Sequence, residues 1–249
     1  MRWDRAAAAS LWSVTRLPSL RPPIGFAHRG ARAHAPENTI ESFVLAARLG
    51  ATGLESDVWL TADGQAVLDH DGLVGRRPRR RPIAGVRRED LPDHVPTLRE
   101  LYEAVGTDFE LSLDVKDTAA APEVVACARD VGAEDQLWLC HPDWRTVAGW
   151  RELSPAVKLV ESTRLARLEG SPELHVARSA DAGIEVLNLH HSDWSPGLVA
   201  MVHRFELLAF GWDAQHERIL AGLLDIGIDG LFSDHVDRMV AALAAAGAG

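Results

Sequence analysis

Apolar and polar positions alternate along the chain in a regular rhythm that begins after Pro23. Short apolar runs, many of them β-branched, favour strands, and the longer stretches between them have the spacing of amphipathic helices. The runs predict strands at residues 24–28, 52–58, 109–115, 136–140, 157–161, 185–190, 206–212 and 229–234. The stretches predict helices at residues 38–49, 97–106, 119–131, 143–153, 171–182, 195–204, 214–226 and 235–246. Asn38 and Thr39 can cap the first helix, and Gly50 can end it.

Eight strand–helix pairs predict an α/β protein, a (β/α)8 TIM barrel, whose usual size is about 250 residues. An open, doubly wound sheet is the alternative, because the order of the strands cannot be read from one sequence. A barrel places its functional side chains at the carboxyl ends of the strands. Nearly every predicted strand ends in a polar or titratable residue, whereas the strand starts show no such bias. This asymmetry favours the barrel.

We predict a single domain over residues 24–249, preceded by a leader over residues 1–23. The leader has a positive start and an apolar patch from Ala6 to Val14, which Arg16 interrupts. The patch is too short to span a bilayer, and no convincing cleavage pattern follows it. We therefore expect the leader to be mobile or loosely docked.

A short insertion after the second strand breaks the rhythm. This Arg-rich loop covers about residues 72–96 and holds seven arginines between Arg76 and Arg88. Such a run of charge is typical of a solvated loop. It could instead form an electropositive rim that attracts a substrate bearing a phosphate.

The composition limits the classes of partner. A net charge of −10 argues against general binding to nucleic acid or to anionic membranes, which needs a basic surface. Cys127 and Cys140 have neither disulfide nor metal spacing, so we interpret them as buried free thiols in a reducing compartment. No segment reads as a transmembrane helix. We expect a soluble cytoplasmic protein without a stable membrane anchor, of unknown oligomeric state.

Three acidic residues are candidate metal ligands. Glu55 and Asp57 stand two residues apart on the second strand, so their side chains point to the same side. If that side is the barrel interior, the two carboxylates repel each other unless a cation or a proton neutralises them. Asp114, at the end of the third strand, is a neighbouring third carboxylate, and oxygen ligands suit Mg²⁺ or Ca²⁺. Alternatively, Glu55 and Asp57 face outward and pair with a helix.

Two histidines are candidate catalysts. His28 ends the first strand, and His70 ends a later apolar run. Because imidazole ionises near pH 6.5, two such rings can serve as base and acid. Arg29 and Lys116 add positive charge at the same mouth, which suits the binding of a phosphate. Together these residue types suggest metal-assisted phosphoryl chemistry with proton transfer by histidine.

Two stretches resemble the glycerophosphodiester phosphodiesterase family. They read AHRGARAHAPENTIESF (27–43) and GLESDVWLTADGQAVLDHD (53–71), and weaker matches extend the resemblance over roughly residues 24–246. The shared motifs are His28-Arg29-Gly30, Pro36-Glu37-Asn38-Thr39, Glu55 with Asp57, Thr61 with Asp63-Gly64, and His70-Asp71. The block from His28 to Asp71 is highly specific, whereas the carboxyl-terminal half alone would not be.

The resemblance implies a TIM barrel that hydrolyses a small-molecule glycerophosphodiester to glycerol 3-phosphate and an alcohol. It implies a divalent cation, Mg²⁺ or Ca²⁺, held by Glu55, Asp57 and the acidic residue of the third strand. It implies His28 and His70 as the acid–base pair, with Arg29 and Lys116 on the phosphate. By the same analogy, a neighbouring hydroxyl of the substrate attacks phosphorus, the alcohol leaves, and water opens the cyclic phosphate.

Four features depart from the family pattern. The fourth strand ends in Cys140-His141-Pro142, where the family usually has a Ser-Phe-like pair. The third strand carries Asp114 where the family usually has Glu, and the Arg-rich loop replaces a stretch that usually shapes the pocket. At the end of the seventh strand, Trp212 is expected to wall the pocket and to bind substrate. Asp213 stands where Asn is usual, and its charge would favour a cationic head group.

Three other functions stay open as alternatives. A lysophospholipase D-type enzyme would apply the same chemistry to a lipid, and only the leader around Leu11–Val14 could dock it on a membrane. A non-catalytic phosphodiester binder would be expected to lack a histidine or a metal carboxylate, and none is missing. A barrel hydrolase acting on C–N bonds would be expected to have a His-x-His motif after the first strand. This chain has His28-Arg29-Gly30 there.

Overall fold

The computed structural model describes residues 16–75 and 78–247 of the chain. Within these residues the strands are β1 (Ile24–His28), β2 (Gly53–Leu60), β3 (Ala66–Leu68), β4 (Leu73–Val74), β5 (Arg81–Pro82), β6 (Glu110–Val115), β7 (Leu137–His141), β8 (Lys158–Thr163), β9 (Val186–His190), β10 (Leu208–Trp212) and β11 (Gly230–Ser233). The α-helices are α1 (Ile40–Arg48), α2 (Leu98–Val105), α3 (Ala121–Asp130), α4 (Trp144–Gly149), α5 (Pro172–Asp181), α6 (Pro196–Arg204), α7 (Glu217–Asp225) and α8 (Val236–Gly247).

Eight parallel strands close into a barrel. The order around it is β1, β2, β6, β7, β8, β9, β10 and β11, and β11 pairs again with β1. On β1, Ala27 pairs with Leu54 of β2 on one side and with Ser233 of β11 on the other. An open sheet would leave one side of an edge strand unpaired, so this double pairing excludes the doubly wound alternative. The predicted single-domain TIM barrel is confirmed.

Alternate residues of the strands point into the barrel and onto the surrounding helices. The lower interior is filled by an aromatic plug of Phe26, Trp138, Phe210 and Phe232, with aliphatic residues around it. Phe26 and Phe232 stack with their ring centroids 4.7 Å apart. A Cβ on Gly53 would lie 2.6 Å from the Phe26 ring. The rings therefore need glycine beside them, and the plug closes the barrel beneath its carboxyl-terminal mouth.

The first helix begins later than its sequence pattern predicts. Thr39 is its N-cap, because the Thr39 side chain accepts a hydrogen bond from the Ser42 N–H. Asn38 is not a cap: it is buried with a positive φ of 54°, and its Oδ1 accepts a hydrogen bond from Ser56 Oγ at 2.8 Å. The expectation that Asn38 caps the helix was therefore wrong, since a partner on β2 holds its side chain.

The insertion after β2 contains short strands and a few buried apolar residues, although most of its described residues are exposed. Beyond Leu60 the chain turns back as β3, which pairs antiparallel with β2 in a hairpin that the strand pattern did not predict. The Arg-rich loop contains β4 paired with β5, and its Ile83 and Val86 are buried against Val67. Arg76 and Arg77 lie outside the described residues.

The end of the predicted leader contacts the amino-terminal end of the barrel. Leu20 N donates a hydrogen bond to Asp229 Oδ1 at 2.6 Å, directly before β11, and Arg21 pairs with Glu110 at the start of β6. Residues 1–15, which include the apolar patch, lie outside the described residues. Among the helices of the described chain, none combines the length and apolarity that crossing a membrane requires.

Candidate active site

A cavity of about 360 Å³ opens at the carboxyl-terminal mouth of the barrel, directly above the aromatic plug. It is lined by residues from seven of the eight barrel strands and from the segments that follow the strands: His28, Arg29, Glu55, Asp57, Asp114, Lys116, Pro142, Ser162, Asn188, Trp212, Asp213 and Phe232. Seven of the eight residues that the sequence nominated are in this set. The exception is His70.

The three candidate metal ligands converge on one point. One oxygen from each of Glu55, Asp57 and Asp114 lies within 4.8 Å of the others. Asp57 and Asp114 are register partners on neighbouring strands, and Glu55 lies two residues before Asp57. Glu55 and Asp57 are only 4% and 2% exposed. The outward-facing alternative is therefore excluded.

The electrostatics of these carboxylates fit a divalent cation. Burial raises the pKa of Glu55 to about 8, with further upward contributions from Asp57 and Asp114 against the opposing charge of His28. Two of the three groups are nearly inaccessible to water, so their ionised forms need a cation for stability. The donors are all oxygen, which suits a hard ion such as Mg²⁺ or Ca²⁺.

Two basic side chains share the same carboxylates. Lys116 Nζ lies 3.0 Å from Asp57 Oδ1 and 3.0 Å from Asp114 Oδ2. Burial alone would lower the pKa of Lys116, but the two aspartates outweigh it and raise that pKa. Arg29 Nε lies 3.2 Å from Asp57 Oδ2, an oxygen that has no hydrogen bond among the described residues. The mouth thus holds positive charge beside its carboxylates, as anion binding requires.

His28 is held in place by an aspartate that the sequence did not nominate as a site residue. Its Nδ1 lies 2.6 Å from Asp234 Oδ1, and its Nε2 lies 3.8 Å from Glu55 Oε2. Burial lowers the pKa of His28, but the charges of Glu55 and Asp234 outweigh burial and leave that pKa raised. Arg32 Nη1 approaches the second oxygen of Asp234 at 3.3 Å. Asp234 can therefore fix the ring and leave Nε2 facing the carboxylates.

The corner after β1 is shaped around this arrangement. Arg29 adopts a left-handed backbone with φ 54°, and its N–H donates to Glu55 Oε2 at 2.9 Å. Gly30 follows with φ 77°, and a Cβ there would lie 2.4 Å from Ser42 Oγ. Only glycine fits a corner this tight and this conformation. The His-Arg-Gly motif thus sets the backbone that brings Arg29 onto Glu55 and Asp57.

His70 lies in a separate hollow. That hollow has a volume of about 550 Å³, and Glu37 and Asn38 line it together with His70. His70 Nδ1 contacts Asp71 at 3.0 Å, and its side chain is 41% exposed. Arg29, which lines the first cavity, pairs with Glu37, which lines the second, at 3.1 Å. The Arg29–Glu37 ion pair therefore belongs to the boundary between the two spaces.

The opposite wall of the cavity comes from later strands. Trp212 lies there as expected, with the Arg164 guanidinium 5.7 Å from its ring and His190 in edge-to-face contact at 4.6 Å. Asn188 and Ser162 join it, and Asn188 Nδ2 donates to Ser162 Oγ at 3.1 Å. The sequence analysis missed both, although each occupies an inward-facing position near the end of its strand. The periodicity of these strands was the signal that could have found them.

Comparison with known proteins relates the chain to one enzyme family. A profile described as the glycerophosphoryl diester phosphodiesterase family matches residues 28–238. A glycerophosphodiester phosphodiesterase of Caldanaerobacter subterraneus is 24% identical over 237 residues, which cover 86% of this chain and 95% of that protein.

Two solved structures share the fold. A glycerophosphodiester phosphodiesterase from Thermotoga maritima superposes with a TM-score of 0.77 at 23% identity, covering 89% of this chain and 98% of its own. A phosphodiesterase from Oleispira antarctica, solved in complex with the product sn-glycerol-3-phosphate, gives a TM-score of 0.78 at 21% identity, with 89% and 97% covered. At these identities, the two structures establish the likeness of the fold.

Proposed function

The chain belongs to the glycerophosphoryl diester phosphodiesterase family and is a phosphodiester hydrolase, and we propose that the cavity above the aromatic plug is its active site. There it hydrolyses glycerophosphodiesters to glycerol 3-phosphate and an alcohol with the help of a divalent cation. The convergence of Glu55, Asp57 and Asp114 within 4.8 Å, beside His28, carries this proposal. The phosphodiesterase from Oleispira antarctica holds sn-glycerol-3-phosphate, which supports the same product here.

Glu55, Asp57 and Asp114 would hold the cation. When bound, a divalent ion supplies Lewis-acid polarisation of the phosphoryl oxygens and neutralises the charge that develops on them. Arg29 and Lys116 would bind the remaining phosphate oxygens, because their cationic groups already lie at the mouth beside the carboxylates. Trp212 would pack against the glycerol or the alcohol from the opposite wall.

His28 would act as the base. Asp234 accepts the Nδ1–H of the neutral ring, so the lone pair of Nε2 is directed towards the cavity. His28 takes the proton from the glycerol hydroxyl beside the phosphate, and that oxygen attacks phosphorus. The bond from phosphorus to the alcohol oxygen breaks, and an acid protonates the departing alcohol. Water then opens the cyclic phosphate in the reverse sense and yields glycerol 3-phosphate.

His70 is the proposed acid. Because it lies beyond the Arg29–Glu37 pair, a substrate that reaches both histidines must extend across that boundary. Replacement of His70 by Ala tests the role: slow release of a poor leaving alcohol, with normal release of an activated one such as p-nitrophenol, is the expected signature.

The test of the function is release of glycerol 3-phosphate from a panel of glycerophosphodiesters with Mg²⁺, Ca²⁺ or EDTA. We expect metal-dependent release that is lost in His28→Ala and in Glu55→Ala. Absence of release from every diester by folded, metal-loaded protein would refute the proposal. Turnover of lysophospholipids alone would favour the lipid-directed alternative. A cytoplasmic location stays a prediction.

A further inference from the structure

A second group of metal-ligating side chains lies on the rim of the cavity, at the ends of β9 and β10. His190 ends β9, His191 follows it, and Asp213 follows Trp212 at the end of β10. We call these three residues the rim cluster. One potential ligand atom of each lies within 4.8 Å of the others. Asp213 also lines the catalytic cavity, so the rim cluster borders that cavity. None of its members belongs to the group of Glu55, Asp57 and Asp114.

We propose that the rim cluster binds one divalent transition-metal ion, Zn²⁺ or Co²⁺ by its chemistry. Two imidazoles and one carboxylate form a donor set that suits these borderline ions, which favour nitrogen ligands. The three carboxylates at the floor of the cavity form the opposite kind of set, because hard ions such as Mg²⁺ and Ca²⁺ favour oxygen. The mouth of the barrel therefore holds two sites that differ in metal preference.

The distance between two of the ligand atoms already matches the distance between ligands of a single zinc ion. His190 Nε2 lies 3.2 Å from Asp213 Oδ2. In a tetrahedral zinc site with metal–ligand bonds of about 2.0–2.1 Å, two ligand atoms lie about 3.3 Å apart. The ring centroids of His190 and His191 are 4.2 Å apart, so rotation of the His191 side chain can supply the third ligand.

Two of the three ligands are oriented by partners on their far sides. His190 Nδ1 lies 2.8 Å from Ser192 Oγ and accepts a hydrogen bond from the Ser192 N–H at 3.2 Å. When Nε2 binds a metal, the ring proton moves to Nδ1, and Ser192 Oγ can accept it in place of the backbone contact. Asp213 Oδ1 accepts a hydrogen bond from Gln215 Nε2 at 3.1 Å, which leaves Oδ2 towards His190. Such partners fix the tautomer and orientation of metal ligands and raise affinity.

A comparable cluster elsewhere on the protein serves as a matched control. His34, His235 and Asp237 also bring three ligand atoms within 4.8 Å. The His34 side chain is 36% exposed, against 17% for His190. Within residues 16–75 and 78–247, His34 has no side-chain hydrogen bond besides that to Asp237. Because this cluster is less buried and less oriented, we expect it to bind the same ions more weakly.

The test is a Co²⁺ titration of the full, tag-free chain after removal of metal, followed by visible absorption and equilibrium dialysis. Four-coordinate Co²⁺ has a distinctive absorption, which reports the geometry of the site. We expect one tightly bound ion whose Kd rises at least about tenfold in His191→Ala and in Ser192→Ala. Asp57→Asn and His34→Ala should keep both the absorption and the affinity.

Asp213→Asn is a second variant that should fold normally. Asn tolerates the left-handed backbone of this position, where φ is 62°. It should weaken Co²⁺ binding while the thermal unfolding midpoint stays that of the wild type. Equal Kd values for wild type, His191→Ala and Asp213→Asn would overturn the proposal. Loss of the absorption in His34→Ala or in Asp57→Asn would also overturn it, by placing the ion elsewhere.

Discussion

The interior of the barrel consists of two layers that the same strands build. On β1, β10 and β11, a phenylalanine of the aromatic plug stands two residues before a polar or aromatic residue of the mouth. These pairs are Phe26 with His28, Phe210 with Trp212, and Phe232 with Asp234. The plug contains apolar groups in mutual contact, whereas the mouth contains carboxylates within 4.8 Å of one another. A step of two residues therefore separates groups that stabilise the fold from groups that serve the reaction.

The two layers differ in how their packing affects the stability of the folded protein. In the plug, a Cβ on Gly230 would lie 2.6 Å from the Phe210 ring, so glycine and aromatic residues fit each other closely. In the mouth, burial raises the pKa of Glu55 to about 8, which shows that its ionised form is unfavourable there. The residues of the mouth that serve the reaction therefore lower the stability of the folded protein, as residues of active sites commonly do. Substitutions in the two layers should separate activity from stability.

The largest effect on activity is expected from His28→Ala in the mouth. Loss of a positioned base lowers the rate by about 10²–10⁴-fold, and His28 carries the proposed proton transfer. The measurement is kcat/KM for release of glycerol 3-phosphate, with the unfolding free energy measured in parallel. His34→Ala, an exposed histidine outside the cavity, is the control and should keep full activity. A loss below tenfold in His28→Ala would contradict the assignment.

The largest effect on stability is expected from Phe210→Ala in the plug. Truncation of a buried Phe costs about 3–5 kcal/mol of unfolding free energy, and Phe210 is 0% exposed. Denaturant unfolding measures this loss, and kcat of the folded protein should fall much less than in His28→Ala. Leu174→Ala, at a site that is 46% exposed, is the matched control and should cost less than about 0.5 kcal/mol. A loss of unfolding free energy in His28→Ala equal to that in Phe210→Ala would refute the division into layers.

The sequence could predict features that depend on local pattern, but not contacts that depend on how the barrel closes. Strand periodicity and the spacing of Glu55 and Asp57 are local properties, so the barrel and two inward carboxylates could be predicted from them. Asp234 reaches His28 only because β11 closes onto β1, with Ser233 beside Ala27. That contact joins the two ends of the barrel, and no local pattern specifies its register.

The positions of Asn38 and His70 also have tertiary causes. Asn38 resembles a helix cap in sequence, but Ser56 of β2 donates to its side chain and Thr39 takes the cap. His70 follows β3 after an unpredicted hairpin, and this connection carries it into the second hollow. The sequence placed both residues by their neighbours along the chain, whereas a strand and a turn elsewhere decided their positions.

A divalent cation bound by the carboxylates of the mouth should stabilise the folded protein. An ion that binds only the folded protein adds about 2.7 kcal/mol at a concentration of 100 times its Kd. We expect Mg²⁺ or Ca²⁺ to raise the unfolding midpoint of the wild type and EDTA to reverse the rise. Asp57→Asn should abolish the rise, because it removes a ligand that is 2% exposed at the centre of the three carboxylates. An equal rise in the variant would place the ion elsewhere.

The stability of the metal-free protein should also depend on pH. The pKa of Glu55 is raised in the folded state, to about 8 from 4.5, and that of His28 is raised as well. The folded state therefore binds more protons than the unfolded chain, so stability should fall as the pH rises from about 4.5 to about 8. Glu55→Gln should flatten this decline, because it removes the carboxylate whose ionisation burial disfavours in the folded state. Denaturant unfolding in EDTA across this range measures both slopes. A parallel decline in the variant would show that the cost of the mouth lies in groups other than Glu55.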